Sequence, residues 1–385
     1  MTLWVKILLS VISVAAAFFG GFIVLFMVAF GGAGEFYQVL VPICVVTILL
    51  FILAQIWGWS KPKNRLIAVT AILGVVLLSV AGFESYKAYD NSFDKVNEQG
   101  VNLEQYAPFK DNTKAVSLDE PSTLRLASYI PKVDGATALY PLYSAFVQAT
   151  FSQEEYHKYP WFVTCSNTIY AYDKLINGET DVIFVAAPSK EQLKKAQDKG
   201  VALKLTPIGR EAFVFFVNVK NPVNNLSTDD IQKIYSGKAD NWQEFGGKNA
   251  GIRAFQRPEN SGSQTMLKKI MGDTPLMIPP KEDVVAGMGG IIKQVSAYKN
   301  YDNAVGYSFL YFASEMVKDN KIKLLSIGGV APARENVANK TYPYSAEFYA
   351  VTAGTKNENV QKLIDWILSG QGQYIVEKTG YTPLQ

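Results

Sequence analysis

Histidine and cysteine are nearly absent from this sequence of 385 residues: His157 is the single histidine, and Cys44 and Cys165 are the two cysteines. Cys44 lies in an uncharged apolar run and Cys165 in the polar remainder, which excludes a disulfide framework. A usual zinc site needs four ligands of these types, so no metal is expected. His157, in Tyr156-His157-Lys158-Tyr159, reads as a surface residue. A thiol nucleophile would need it beside Cys165 by coincidence of fold. No set of nucleophile, base and orienting group is visible, so neither catalysis nor a cofactor is expected. A broad basic surface is lacking as well. Lys and Arg number 37 against 34 Asp and Glu, a net charge of +3, which excludes an extended nucleic-acid footprint.

What the sequence has in excess is apolar residues, and they crowd before residue 84. Trp4 to Phe30 carries only Lys6, while Phe36 to Trp59 and Leu66 to Phe83 carry no charge. Helices of such length can cross a hydrocarbon core of about 30 Å. Three transmembrane helices are therefore expected, at about 4–30, 36–59 and 66–83. A signal peptide ending near Ala15-Ala16-Ala17 is the other reading of the first run. The apolar stretch continues well past those alanines, which favours an uncleaved membrane helix. The loop at residues 31–35 holds no Lys or Arg, whereas Lys61, Lys63 and Arg65 sit together in the next loop. The positive-inside rule places that second loop and the N-terminus in the cytoplasm, and the chain beyond residue 84 outside the cell membrane.

Residues 84–122 read as an extracytoplasmic stalk or linker, with Pro108 and Pro121. From Leu124 the pattern is α/β. β-rich runs at Leu124–Ala127, Val182–Val185, Ala212–Val217, Val305–Ser308 and Phe348–Val351 alternate with helical stretches. The helices are expected at Tyr140–Thr150, Ile169–Asn177, Glu191–Lys199, Thr228–Ser236, Gly290–Tyr298 and Asn359–Leu368, the fourth capped by Ser227. Such alternation predicts mostly parallel sheets covered by helices. Gly287-Met288-Gly289-Gly290 lacks the spacing and lysine of a nucleotide loop and reads as a turn.

Three loop-to-helix junctions share one chemistry. They are Asp134-Gly135-Ala136-Thr137-Ala138, Cys165-Ser166-Asn167-Thr168 and Arg257-Pro258-Glu259-Asn260-Ser261-Gly262-Ser263. Each offers hydroxyls and backbone N–H groups at a helix start, where the dipole favours an anion. The last adds a guanidinium. A small oxyanion is the ligand such loops suit.

These motifs resemble the PstS-like phosphate-binding proteins of ABC importers, over about residues 123–385. Gly135-Ala136-Thr137 is similar to the family's first ligand loop. Arg257-x-x-x-Ser261-Gly262-Ser263 is similar to its Arg-x-x-x-Ser-Gly-Thr loop. Ile234-Tyr235-Ser236-Gly237-Lys238-Ala239-Asp240-Asn241-Trp242 resembles a structural element of the family, and Gly380-Tyr381-Thr382-Pro383-Leu384 fits its close. The resemblance implies a two-lobe periplasmic-binding-protein clamshell of type II, with lobe 1 at about 123–205 and 340–385 and lobe 2 at about 206–339. It implies anion ligands at Thr137, Ala138 and Thr168 from the first lobe and at Arg257, Ser261, Gly262 and Ser263 from the second. Glu259 matches an acid that aims the arginine. Two departures stand out: Ser263 replaces a threonine, and Ala186 falls where the family has an aspartate that accepts the proton of hydrogen phosphate.

The expected function is a membrane-anchored, extracytoplasmic binding protein for phosphate or a related oxyanion. It would serve an ABC importer through a permease, or report anion level to a membrane partner. The other readings are an extracellular phosphate-ester hydrolase and a non-binding interaction or cell-wall module on the same fold.

Overall fold

The computed structural model describes residues 1–30, 35–59, 61–92, 95–96, 102–279, 298–299, 301–316 and 321–384. The turn expected at Gly287–Gly290 and the helix expected from Gly290 lie, except for Tyr298, outside the described residues. The chain divides into two compact units, Met1–Phe93 and Asp94–Gln385.

The first unit holds helices α1 (Leu3–Phe30), α2 (Glu35–Trp57) and α3 (Pro62–Ser92). All three are long and apolar enough to cross a membrane, over Leu3–Val28, Phe36–Trp57 and Asn64–Ala88. Polar side chains on them find one another. Trp57 Nε1 donates to Ser10 Oγ at 3.1 Å, and Tyr37 donates its hydroxyl proton to Glu84 at 2.6 Å. Phe36 stacks on Phe83 with ring centroids 4.1 Å apart. The third helix runs on past Phe83, so part of the expected stalk is helical.

The second unit is built on one twisted path of strands: β1 (Val133–Gly135), β2 (Val182–Ala186), β3 (Lys204–Asn218), β4 (Arg253–Ala254), β5 (Ala304–Phe309), β6 (Ile322–Leu324) and β7 (Ser345–Thr352). Their spatial order is β1-β2-β7-β3-β5-β4, with β6 beside β3. Parallel pairing is confined to β1 with β2 and β4 with β5 on this path; β7 runs antiparallel to both β2 and β3, and β3 antiparallel to β5 and β6. The expectation of mostly parallel sheets is thus corrected. An antiparallel strand needs no crossover helix before it, and β7 returns directly along β2 and β3. The run Leu124–Ala127 forms no strand: Leu126 makes a single bridge to Phe151.

β3 explains the two-lobe shape. Its residues 204–212 pair with β7, and residues 213–217 then pair with β5. Ile208 enters one core, with Leu142, Phe146, Phe184, Phe348, Trp366 and Tyr381. Phe213 and Phe215 enter the other, with Tyr235, Trp242, Leu267 and Tyr307. Each such buried aromatic or leucine contributes roughly 1.5–3 kcal/mol. The later part of the stretch expected as a linker belongs to the second unit, since Tyr106 and Ala115 are buried in the first core.

The helices that flank the strands are α4 (Tyr140–Thr150), α5 (Asn167–Ile176), α6 (Lys190–Asp198), α7 (Thr228–Tyr235), α8 (Gly262–Met271), α9 (Asn359–Ile367) and α10 (Gly370–Thr379). Two begin with reciprocal caps: Ser189 with Gln192 for α6, and Ser227 with Asp230 for α7. α6 is tied to α5 by Lys195 and Asp173 at 2.6 Å, on the first lobe. α8 buries Leu267, Ile270 and Met271 in the second core.

Candidate anion site

The first of the three expected ligand loops leaves the C-terminal end of β1. A Cβ on Gly135 would lie 2.5 Å from the Phe184 carbonyl oxygen and 2.8 Å from Tyr143, so only glycine fits between β2 and α4. Asp134, fully buried, organises this loop and the next. Its carboxylate accepts hydrogen bonds from the Gly135 amide (2.8 Å), the Ser166 amide (2.7 Å), the Ser166 hydroxyl (2.6 Å) and Lys174 Nζ (2.8 Å). Ser166 is therefore turned down onto Asp134. Thr137 opens a short 3-10 turn, Thr137–Leu139, and the Ala138 carbonyl accepts from the Tyr381 hydroxyl.

Asn167 takes a left-handed backbone, φ 71°, at the start of α5. Asparagine tolerates that region because its short amide bonds locally; here Asn167 Oδ1 accepts from the Ile169 amide at 3.0 Å. Thr168 follows, buried in the first turn. Cys165 Sγ lies 3.8 Å from the Gly135 carbonyl oxygen and 4.0 Å from Thr137 Oγ1. Burial pushes its thiol up to about 11, so it stays protonated at neutral pH and is a poor nucleophile. The His157 ring sits against Phe109 and Tyr156.

The second-lobe loop is fixed from below. The Arg257 amide donates to Tyr307 Oη at 2.9 Å and to Gln264 Oε1 at 3.0 Å. Gln264 Nε2 in turn donates to Gln256 Oε1 at 3.1 Å, and Gln256 Nε2 to the Met277 carbonyl at 2.9 Å. Desolvation lowers the Arg257 guanidinium to about 10, partly opposed by Tyr307; it remains cationic at neutral pH. Ser261 caps α8, its hydroxyl accepting from the Gln264 amide at 3.2 Å. Gly262 and Ser263 then occupy the first helical turn, where the helix itself supplies no carbonyl partner for their N–H groups. Glu259 is exposed and accepts from Lys268.

Two of the expected ligands meet across the lobes. A Cβ on Gly262 would lie 3.3 Å from Thr168 Oγ1 and 3.3 Å from Ala186 Cβ. The start of α8 is thus pressed against the start of α5 and the end of β2. Thr137 joins them through Cys165, next in chain to Ser166-Asn167-Thr168. Beside this seam opens a cavity of about 1120 Å³, bordered by Ala186, Asn260 and Gly262 and by Arg210 and Glu347 of the crossing strands. It is a side groove much larger than a tetrahedral anion.

Sequence reasoning gave no role to Asp134, Gln264 or Tyr307, which act through partners such as Ser166, Lys174 and the Arg257 amide. The Arg210 backbone pairs with Thr382 (2.8 and 3.0 Å), tying the C-terminal segment to β3. Next to it Glu211 is buried, accepts from the Tyr311 amide at 2.6 Å, and is pushed up to about 8 by burial. Trp242 is a packing anchor, buried and donating to the Asn303 carbonyl at 2.8 Å.

A model of the PBP superfamily domain matches residues 127–371, most of the second unit. The chain belongs to the PBP superfamily. Among curated proteins it is 32% identical over 169 residues to the phosphate-binding protein PstS of Bacillus subtilis, covering 44% of this chain and 53% of that protein. It is 26% identical over 228 residues to PstS of Borreliella burgdorferi, covering 56% and 80%. The chain thus spans about half the length of the first relative and four fifths of the second. Among solved structures it is similar to a Clostridium perfringens chain described as a phosphate ABC transporter substrate-binding protein with bound phosphate. The TM-score is 0.52 at 25% identity, over 66% of this chain and 98% of that one. The resemblance to PstS-like proteins, and the PBP clamshell it implied, are borne out.

Proposed function

We propose that this chain binds phosphate or a related oxyanion outside the cell and serves an ABC importer, held in the membrane by α1–α3. The observation that carries the reading is the seam where α8 meets Thr168 and Ala186, with Arg257 in the same loop. A helix start and the Thr168 hydroxyl meet there from two lobes, and the loop that leads into the helix carries one guanidinium. The anion takes hydrogen bonds from Thr137, the Ala138 amide and Thr168 on one side, and from Arg257, Ser261, Gly262 and Ser263 on the other. The aiming role that the resemblance implies for Glu259 is not part of this reading, because its exposed carboxylate accepts from Lys268. The relatives' printed names, phosphate-binding protein and phosphate ABC transporter substrate-binding protein, support the ligand and the importer. The lobes divide near residues 209–212 and 345, where β3 and β7 cross. Three spans exceed what tethering needs, and the extra helices offer a surface for a permease or sensor within the bilayer.

The test is calorimetric titration of the full chain with phosphate. Arg257→Ala should weaken binding by about 2–5 kcal/mol, the range for truncating one partner of a buried charged pair. Equal affinity in the variant would remove Arg257 from the site.

A further inference from the structure

Asn260 lies between Arg257 and the capping residue Ser261, and it holds a left-handed backbone, φ 65°. Its contacts point away from its own lobe. The Ser189 hydroxyl donates to Asn260 Oδ1 at 2.8 Å. Asn260 Nδ2 donates to Glu191 Oε2 at 2.5 Å, and Gln192 Nε2 donates to the Asn260 carbonyl at 3.2 Å. All three partners sit at the cap or in the first turn of α6, on the first lobe. Ser189 and Gln192 are buried and locked to each other by the cap: the Ser189 amide donates to Gln192 Oε1 at 2.8 Å, and the Gln192 amide to Ser189 Oγ at 3.1 Å. The receiving surface is therefore rigid before Asn260 arrives. One residue of the anion loop bridges the lobes right beside the Gly262 seam.

We infer that Asn260 is a positioning residue that couples anion binding to lobe closure, a role resting on the anion-binding reading above. Its three bonds exist only with the lobes together, so they stabilise the closed form alone. A ligand that favours closure and a clasp that favours closure reinforce each other, and the coupling is reciprocal. The clasp acts through the closed complex and not through contact with the anion. It therefore lengthens the residence of any oxyanion by the same factor, whereas the donors in the cradle decide between anions.

The test uses the full chain in nanodiscs with Asn260→Gly. Glycine keeps the left-handed backbone at no steric cost and removes only the side-chain bonds. Phosphate and sulfate affinities should both fall by a common factor of roughly ten to a hundred, a usual size for such coupling, and mainly through faster dissociation. Adding Glu191→Ala to Asn260→Gly should cost nothing further, because Glu191 acts through Asn260. Spin labels on Lys194→Cys and Lys269→Cys report closure directly, and Asn260→Gly should lower the fraction at the short distance. An unchanged dissociation rate, additive losses in the double variant, or a loss confined to one anion would each overturn the assignment. If the wild-type chain binds neither phosphate nor sulfate, the proposed function fails. The clasp is then still decided by the label distance, which an idle Asn260 would leave unmoved.

Discussion

Ala186 puts a methyl group at the seam between the lobes, within contact of Gly262. Three carboxylates among the described residues border these loops and are occupied elsewhere: Asp134 with Gly135, Ser166 and Lys174 beneath the loops, Glu259 with Lys268 at the surface, and Glu191 with Asn260. A proton-bearing oxyanion gains from a carboxylate acceptor, and an anion without a proton loses by facing one. Discrimination usually needs such a repulsive element, and at residue 186 there is none. Phosphate should therefore be preferred over sulfate by less than about a thousandfold, roughly 4 kcal/mol. Competitive titration between about pH 6 and 8, the interval in which inorganic phosphate gives up its second proton, measures the ratio. A larger preference would mean that another group takes the proton. Ala186→Asp should raise the ratio.

Among the elements, β3 carries both the crossing between lobes and a buried acid. Glu211 rises from an ordinary 4.5 to about 8 through burial. Between those values the unfolded chain has lost a proton that the folded chain keeps, so the folded state binds more protons and stability falls as pH rises. Below about 4.5 both states are protonated and the difference vanishes. Glu211→Gln keeps an acceptor for the Tyr311 amide and cannot ionise. It should stabilise the protein increasingly from about pH 5 to 8, by a few kcal/mol at the upper end, and have little effect at pH 4. Urea unfolding at a series of pH values reads this out, and equal stabilisation at every pH would contradict it. Legibility followed locality. The helix Tyr140–Thr150 and the Ser227 cap were readable because caps and periodicity lie within a few residues. The helix starts beside Thr168 and after Ser261 were readable for the same reason. The antiparallel pairing of β3 with β7 joins residues more than a hundred positions apart, and neither strand announces its partner. The reach of Asn260 to Ser189 is equally non-local.

For the whole molecule, topology has a direct test. Lys61, Lys63 and Arg65 against a first loop without Lys or Arg predict that this basic loop is cytoplasmic and residues 84–385 are outside. Protease added to intact cells, after removal of any outer layer, should digest the second unit. Protection until the membrane is lysed would reverse the assignment. One further consequence lies in the route of the chain. The first core takes Phe348, Trp366, Ile375 and Tyr381 from its far end, whereas the second core is complete by Tyr344. Domains generally fold in order of synthesis, but here the order inverts. The lobe begun first must wait for the last forty or so residues to emerge. Until then Leu142, Phe146 and Phe184 lack the cover of Phe348, Trp366, Ile375 and Tyr381, beside a lobe whose core residues have all been made. Newborn chains pass through a stage with one finished half and one sticky half. A nascent chain halted before residue 345 would be held there, a target for chaperones and quality-control proteases rather than a smaller working binder.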